Sequence, residues 1–240
     1  MEAIKSKILD LKSKIRNGLV VSCQAPASSP LAKPEIISAL ALTAEQNGAV
    51  GVRIDSPVNI RAVRQTVNLP IIGIYKIVSP ESEVYITPTF ESAKEVAAAG
   101  ADLIALDATF RTRPQNEDLA WLVERIHDEL NLPVMADVAT FEEGVQAEII
   151  GCDFIGTTLS GYTDETKHIV GPDFELVKQL SKLSIPIICE GRLRKPENVK
   201  KAFECGAFAV VVGNAITGTD WLVREFAEMT PKLSAVGSEW

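Results

Sequence analysis

Eight short runs rich in valine, isoleucine and leucine stop at Gln24, Arg53, Lys76, Asp107, Asp137, Thr157, Glu190 and Gly213. Five of these residues are charged, and an ionised group is costly to bury without a partner. Brought to one place, they can pair with one another and grip a polar ligand. A second signal lies beside the last two runs. Glu190-Gly191-Arg192 and Gly213-Asn214-Ala215-Ile216-Thr217-Gly218 combine glycines, which let backbone N–H groups approach an anion, with an arginine to neutralise it. That is phosphate chemistry. Gly156-Thr157-Thr158 and Ser160-Gly161 offer further donors. Each feature also has a purely structural reading. The glycines form turns, Asp107 and to a lesser degree Asp137 hold loop N–H groups, and Asp55 caps the next helix.

Whether these residues meet depends on the elements that carry them. The apolar runs read as strands over Leu19–Gln24, Val50–Arg53, Ile71–Lys76, Leu103–Asp107, Val134–Asp137, Phe154–Thr157, Ile185–Glu190 and Ala209–Gly213. Amphipathic stretches follow at Pro34–Asn47, Val58–Thr66, Phe90–Ala99, Glu117–Leu130, Phe141–Ile150, Phe174–Lys182, Pro196–Glu204 and Thr219–Met229, after a first helix over 1–16. Glycines at 48, 100, 151 and 206 fall where helices should stop. Pro70, Pro133 and Pro186 open strands. Three helix-to-strand passages, AAAGADLIALD, EIIGCDFIGTT and FECGAFAVVVG, resemble one another and suggest duplicated units.

Strict alternation demands a parallel sheet, because parallel neighbours need a crossover. Eight units close a barrel. An open doubly wound sheet is the alternative, but no strand runs into a GxGxxG turn. The expected fold class is α/β, a (β/α)8 TIM barrel with an extra N-terminal helix, in one domain over residues 1–240. Such barrels place the active site at the C-terminal ends of the strands and often hold phosphate between the loops after strands 7 and 8. Alternation then puts Lys76 on the inner side with Ile72 and Ile74, Glu190 with Ile188, and Asp137 with Met135, leaving Cys189 outward. Trp121 and Trp221 read as packing residues, His127 as a solvated side chain and His168 as a candidate for the rim.

The chain has 240 residues, with 24 basic and 32 acidic side chains and a net charge of −8. That length suits one barrel of ~250 residues, and a 46% hydrophobic share argues against disorder. The acidic balance disfavours nucleic acid as a partner, but leaves room for a phosphorylated small molecule. No apolar run nears the ~20 residues that span a bilayer. The opening MEAIKSKILDLKSKIRNG lacks a signal-peptide core, so a cytoplasmic location without membrane association is expected. Cys23, Cys152, Cys189 and Cys205 stand apart with no CxxC, which fits a reduced compartment. With only His127 and His168, no His-rich metal site and no metal are expected.

One series of strings is more specific. VVSCQA, the Gly-Val-Arg of the second strand, PIIGIYK, SEVYITPT and LIALDAT are followed by VMADVAT, DFIGTTLSGYT, GPDFELVK, EGR and VVGNAIT. Together they closely resemble the N-acetylmannosamine-6-phosphate 2-epimerase family over nearly the whole chain after the first helix. The pattern departs from the family's at Ile54–Ser56, at Ile77–Ser79 and at Cys189. The resemblance implies a cytoplasmic isomerase of amino-sugar and sialic-acid catabolism. It would interconvert the 6-phosphates of N-acetylmannosamine and N-acetylglucosamine without metal or redox cofactor, as a homodimer or higher homo-oligomer. It places Lys76 and Glu190 at catalytic positions. Gln24, Arg53 and Asp137 fall where the substrate is held, and Thr157, Gly191, Arg192, Gly213 and Asn214 complete the expected binding set.

The chemistry fits those residue types. Inverting a carbon that bears an acetamido group means removing its hydrogen and returning one on the other face. That hydrogen is acidic only in the open-chain aldehyde, so a base, a proton donor and a stabiliser for the enolate oxygen are needed. A neutral Lys76 would take the proton and an acid Glu190 would give one. In a variant, Lys76 is the only base and Glu190 assists ring opening. Three other functions fit the same barrel. They are a Schiff-base aldolase using Lys76, another phosphosugar isomerase, and a non-catalytic sugar-phosphate sensor.

Overall fold

Parallel pairing runs without a break from the first strand to the eighth and returns from the eighth to the first, closing the barrel. In a computed structural model, the protein is described over residues 2–231. Met1 and 232–240, the outer ends of the expected 1–240 domain, lie outside the described residues. The strands are β1 Leu19–Cys23, β2 Gly51–Asp55, β3 Ile71–Ile74, β4 Leu103–Asp107, β5 Val134–Asp137, β6 Phe154–Gly156, β7 Ile187–Glu190 and β8 Ala209–Val212. Helices α1 Glu2–Ile15, α2 Pro34–Gln46, α3 Pro57–Arg64, α4 Phe90–Ala98 and α5 Leu119–Arg125 come first. Then follow α6 Phe141–Ile149, α7 Phe174–Leu180, α8 Pro196–Glu204, α9 Asn214–Thr217 and α10 Thr219–Glu228.

Two apolar layers hold the barrel. Every second strand residue points inward, so Ile72, Ile74, Leu103, Ala105, Met135, Phe154, Ile188, Ala209 and Val211 fill the interior. The intervening residues, such as Val52, Ile54, Ile104, Ala136 and Ile155, meet the helices outside. Cys189 belongs to an outer cluster with Val177, Ala202 and Val210, as alternation requires. The helix α1 covers the N-terminal end of the barrel. Leu11 and Ile15 join the interior cluster there, and the Asn17 N–H donates to Phe208 O at 2.8 Å.

Several boundaries differ from the sequence reading, each for a local reason. Strand β3 ends at Ile74 rather than Lys76 because the chain turns into a hairpin, with Lys76 bridging antiparallel to Ile86. Strand β7 starts at Ile187, because Pro186 has no N–H and offers only its carbonyl, to Ile155 N. Strand β2 runs on to Asp55, paired with Ile74. The stretch Glu117–Leu130 divides into α5 and a π-helical turn, Ile126–Leu130, while Glu117 accepts the Phe90 N–H at the start of α4. The last helix is preceded by the separate short helix α9. The helix-stop glycines 48, 100, 151 and 206 all take positive φ.

Candidate active site

A cavity of about 780 Å³ opens at the C-terminal ends of the strands. Gln24, Arg53, Lys76, Glu190, Gly191, Arg192, Gly213 and Asn214 line it, all of them expected there. Its floor is built on Arg53 at the middle of β2, whose residue is only 1% exposed. Arg53 Nη1 and Nη2 donate to Asp137 Oδ1 and Oδ2 at 3.1 and 2.5 Å, in a fork that fixes both planes. Nη1 also donates to Glu190 Oε2 at 2.8 Å. Burial alone would lower the Arg53 pKa, but the two carboxylates more than offset it and hold the guanidinium firmly charged.

Glu190, at the end of β7, is tied at two levels. Its backbone is clamped by Thr157, whose hydroxyl donates to Glu190 O at 2.9 Å and accepts the Glu190 N–H at 3.1 Å. Its Oε2 takes Arg53 and, at 3.3 Å, the hydroxyl of Thr158. Loss of water raises the Glu190 pKa above the ordinary carboxyl value; Arg53 opposes this and Asp137 reinforces it.

Lys76 reaches the same cavity from the hairpin after β3. Its Nζ donates to Gln24 Oε1 at 2.5 Å, and Gln24 Nε2 donates to Ser22 Oγ at 2.8 Å. Asp55 Oδ1 accepts the Lys76 backbone N–H at 3.0 Å, anchoring the hairpin to β2. Although the side chain stays open to solvent, the walls around it remove enough water to lower the ammonium pKa. Asp55 opposes that shift and Arg53 adds to it. Solvent in the mouth tempers the effect, and any ligand that displaced that water would deepen it. Among the described residues Lys76 and Glu190 form no ion pair, so neither is consumed by the other.

Several expectations need correction or refinement. Asp137 is fully buried and outside the cavity lining, and its carboxylate accepts from Arg53 and Thr158. Thr157 is also outside the lining, because its hydroxyl faces the β7 backbone. Arg192 lines the cavity as expected, where its Nε donates to Gly171 O and its Nη2 to Ser160 O, and it lies over the Tyr162 ring at 4.9 Å. It secures the β6–α7 loop, and Arg194 brings a second cation to the cavity wall. Trp221, expected as packing, lines the cavity with Arg194 stacked on it at 4.9 Å.

Other outcomes are simpler. Gly191 and Arg192 both take left-handed backbone, φ 114° and 53°, which turns the chain across the mouth. Asp107 holds its turn, accepting from Thr109 N and Oγ1 and pairing with Arg111 at 2.7 Å. Asp55 is no helix cap; Ser56 stands at that position. His127 is not merely solvated, since its Nε2 lies 3.0 Å from Asp153 Oδ2. His168 is exposed and outside the lining. Tyr85, Ser22 and Thr158 join the wall. Tyr85 sits in SEVYITPT, a distinctive string whose hairpin could not be placed by strand periodicity. Among the described residues no group of three His, Cys, Asp or Glu side chains is arranged to hold a metal ion. No helix there is long and apolar enough to cross a membrane.

Comparison with known proteins agrees with this fold. Residues 37–232 match a family model described as "Putative N-acetylmannosamine-6-phosphate epimerase". A relative from Thermosynechococcus vestitus, carrying the same description as a 2-epimerase, is 53% identical over 219 residues, 91% of this chain and 95% of its own. Another from Synechococcus elongatus is 47% identical over 216 residues, covering 89% and 93%. The solved structure of the N-acetylmannosamine-6-phosphate 2-epimerase from Clostridium perfringens superposes with a TM-score of 0.88 at 41% identity, covering 92% of this chain and 96% of that one.

Proposed function

The chain belongs to the N-acetylmannosamine-6-phosphate epimerase family, and from that premise we propose a C2 inversion in which Lys76 and Glu190 work from opposite faces of one sugar. The substrate is the open-chain 6-phosphate of an N-acylmannosamine, and the product is the corresponding N-acylglucosamine 6-phosphate. One observation carries the reading. Lys76 and Glu190 line a single cavity without pairing with each other, and burial there favours the neutral amine and the acid carboxyl.

Neutral Lys76 removes the C2 proton, steered by the Gln24 carbonyl that accepts from its Nζ. The electron pair passes to the aldehyde oxygen, and the charge develops near Arg53 and the newly formed Lys76 ammonium. Glu190 then gives its proton to the other face of C2. Its Oε2 is already occupied by Arg53 and Thr158. Oε1, which has no hydrogen-bond partner among the described residues, is the oxygen that carries the transferable proton. The roles reverse in the opposite direction. The phosphate is assigned to the wall of Gly191, Arg192, Gly213 and Asn214, where glycines and a cation meet and Arg194 stands nearby.

The test follows deuterium entry at C2 in heavy water, using phosphorylated and unphosphorylated amino sugars side by side. Lys76→Ala and Glu190→Gln should each slow inversion at least ~100-fold. Glu190→Gln should still exchange the C2 hydrogen, because Lys76 can return a deuteron to the face it left. Undiminished inversion in either variant removes that residue from the mechanism. Borohydride should leave Lys76 unmodified in the presence of substrate; trapping there would restore the Schiff-base aldolase.

We assign the protein to the cytoplasm as a homo-oligomer. Support for the first is its four free thiols. Support for the second is the apolar face of α10 and its C-cap, where Val223, Phe226 and Met229 stand exposed.

A further inference from the structure

The threonine pair after β6 divides its work. Thr157 turns to the backbone of β7, whereas Thr158 Oγ1 stands between two carboxylates, 2.6 Å from Asp137 Oδ1 and 3.3 Å from Glu190 Oε2. A hydroxyl has one proton and cannot donate to both. Asp137 has two other donor contacts, both from Arg53, and Glu190 has one. Gly156 keeps the space clear, since a Cβ there would lie 2.9 Å from Thr158 Oγ1 and 3.0 Å from Asp137 Oδ1.

We propose that Thr158 is a positioning residue whose single hydroxyl proton swings between Asp137 and Glu190 as Glu190 passes between acid and carboxylate. This rests on the acid–base role assigned to Glu190 above. While Glu190 holds its proton on Oε1, the Thr158 hydroxyl points to Asp137, the shorter contact. Once that proton has gone to C2, a second carboxylate stands beside Asp137. Rotation about the Thr158 Cβ–Oγ1 bond then turns the donor to Oε2, while Asp137 keeps both arms of Arg53. No covalent bond changes, and the charge on Thr158 stays zero.

The remaining groups facing Glu190 are Arg53 from β2, Asp137 from β5 and Lys76 beyond β3, with Asp55 next to Lys76. Arg53 is locked in its fork, Asp137 accepts, and Lys76 is held by Gln24. Thr158 alone among them is a neutral donor free to reorient. Its bond opposes the upward pull of burial on the Glu190 pKa.

The experiment is a carbon-13 NMR titration of the Glu190 side-chain carboxyl, assigned with Glu190→Gln, on the full-length protein without substrate. Thr158→Val should titrate about one pH unit higher than the parent. Its kcat should fall roughly tenfold with KM within about twofold. Thr158→Ser, which keeps the hydroxyl, should restore both, and Thr158→Ala replaces the valine variant if that does not fold. A carboxyl that titrates at the parental pH in the folded valine or alanine variant overturns the proposal, as does a serine variant that fails to restore it. An unshifted titration with an inactive Glu190→Gln sinks the role of Thr158 alone. A Glu190→Gln enzyme that still inverts C2 sinks the acid–base reading, and Thr158 with it.

Discussion

Arg53 does at the scale of one residue what the reaction needs from several. It neutralises Asp137, holds Glu190 by one oxygen, and adds a positive charge that disfavours a second cation at Lys76. The arrangement has a consequence for stability. Glu190 has a folded-state pKa above its unfolded value, so between those two values the native state binds more protons than the unfolded chain. Its contribution is therefore fully present below the ordinary carboxyl pKa and is lost as pH rises through the folded value. Urea-unfolding midpoints of Glu190→Gln, measured from pH 5 to 8 (roughly the range of maximal stability), should gain on the parent as pH rises. Parallel curves would show that the carboxyl is not raised. The residue types at this site were legible in the sequence because charged side chains interrupt apolar runs at regular intervals. Their partners were not. That Asp137 pairs with Arg53 at the cavity floor depends on side-chain length and direction across the barrel, which periodicity does not encode.

Strand ends decide which of those side chains meet. Periodicity located all eight strands but misplaced several of their ends by one or two residues, since the last pairings are set by neighbours rather than by local composition. The hairpin after β3 shows the cost: Lys76 was placed on the strand, whereas it stands beyond it and is aimed by Asp55 and Ile86. At β6 the chain must pass between Met135 and Asp137, and Gly156 makes this possible. A Cβ there would meet Met135 Cε at 2.3 Å, a flexible end that can swing aside, but also the Thr158 hydroxyl and the Asp137 carboxylate. Gly156→Ala should therefore fold and lose roughly 10- to 100-fold in kcat through displacement of those two groups. Steady-state kinetics at full folding, checked by circular dichroism, reads this out; a rate within twofold of the parent contradicts it.

The molecule as a whole separates stability from chemistry along the barrel axis. The interior and the base are apolar, with Leu11 and Ile15 of α1 packed beneath the strands, and the polar groups are confined to the opposite end. Ile15→Ala should cost roughly 2–5 kcal/mol, as a cavity at a fully buried site does. Its turnover at ordinary temperature should match the parent, with thermal and urea melts measuring the first and the epimerisation assay the second. The barrel itself was legible because eight βα units leave few ways to close a parallel sheet. Where α1 packs was not legible, because an amphipathic helix declares that it buries one face and not against what. Its position has a kinetic corollary. With the base stoppered by its own helix, both sugars must use the same doorway, and they differ at a single stereocentre. Each isomer therefore competes with the other for entry, and net flux answers to whichever neighbouring reaction drains one of them.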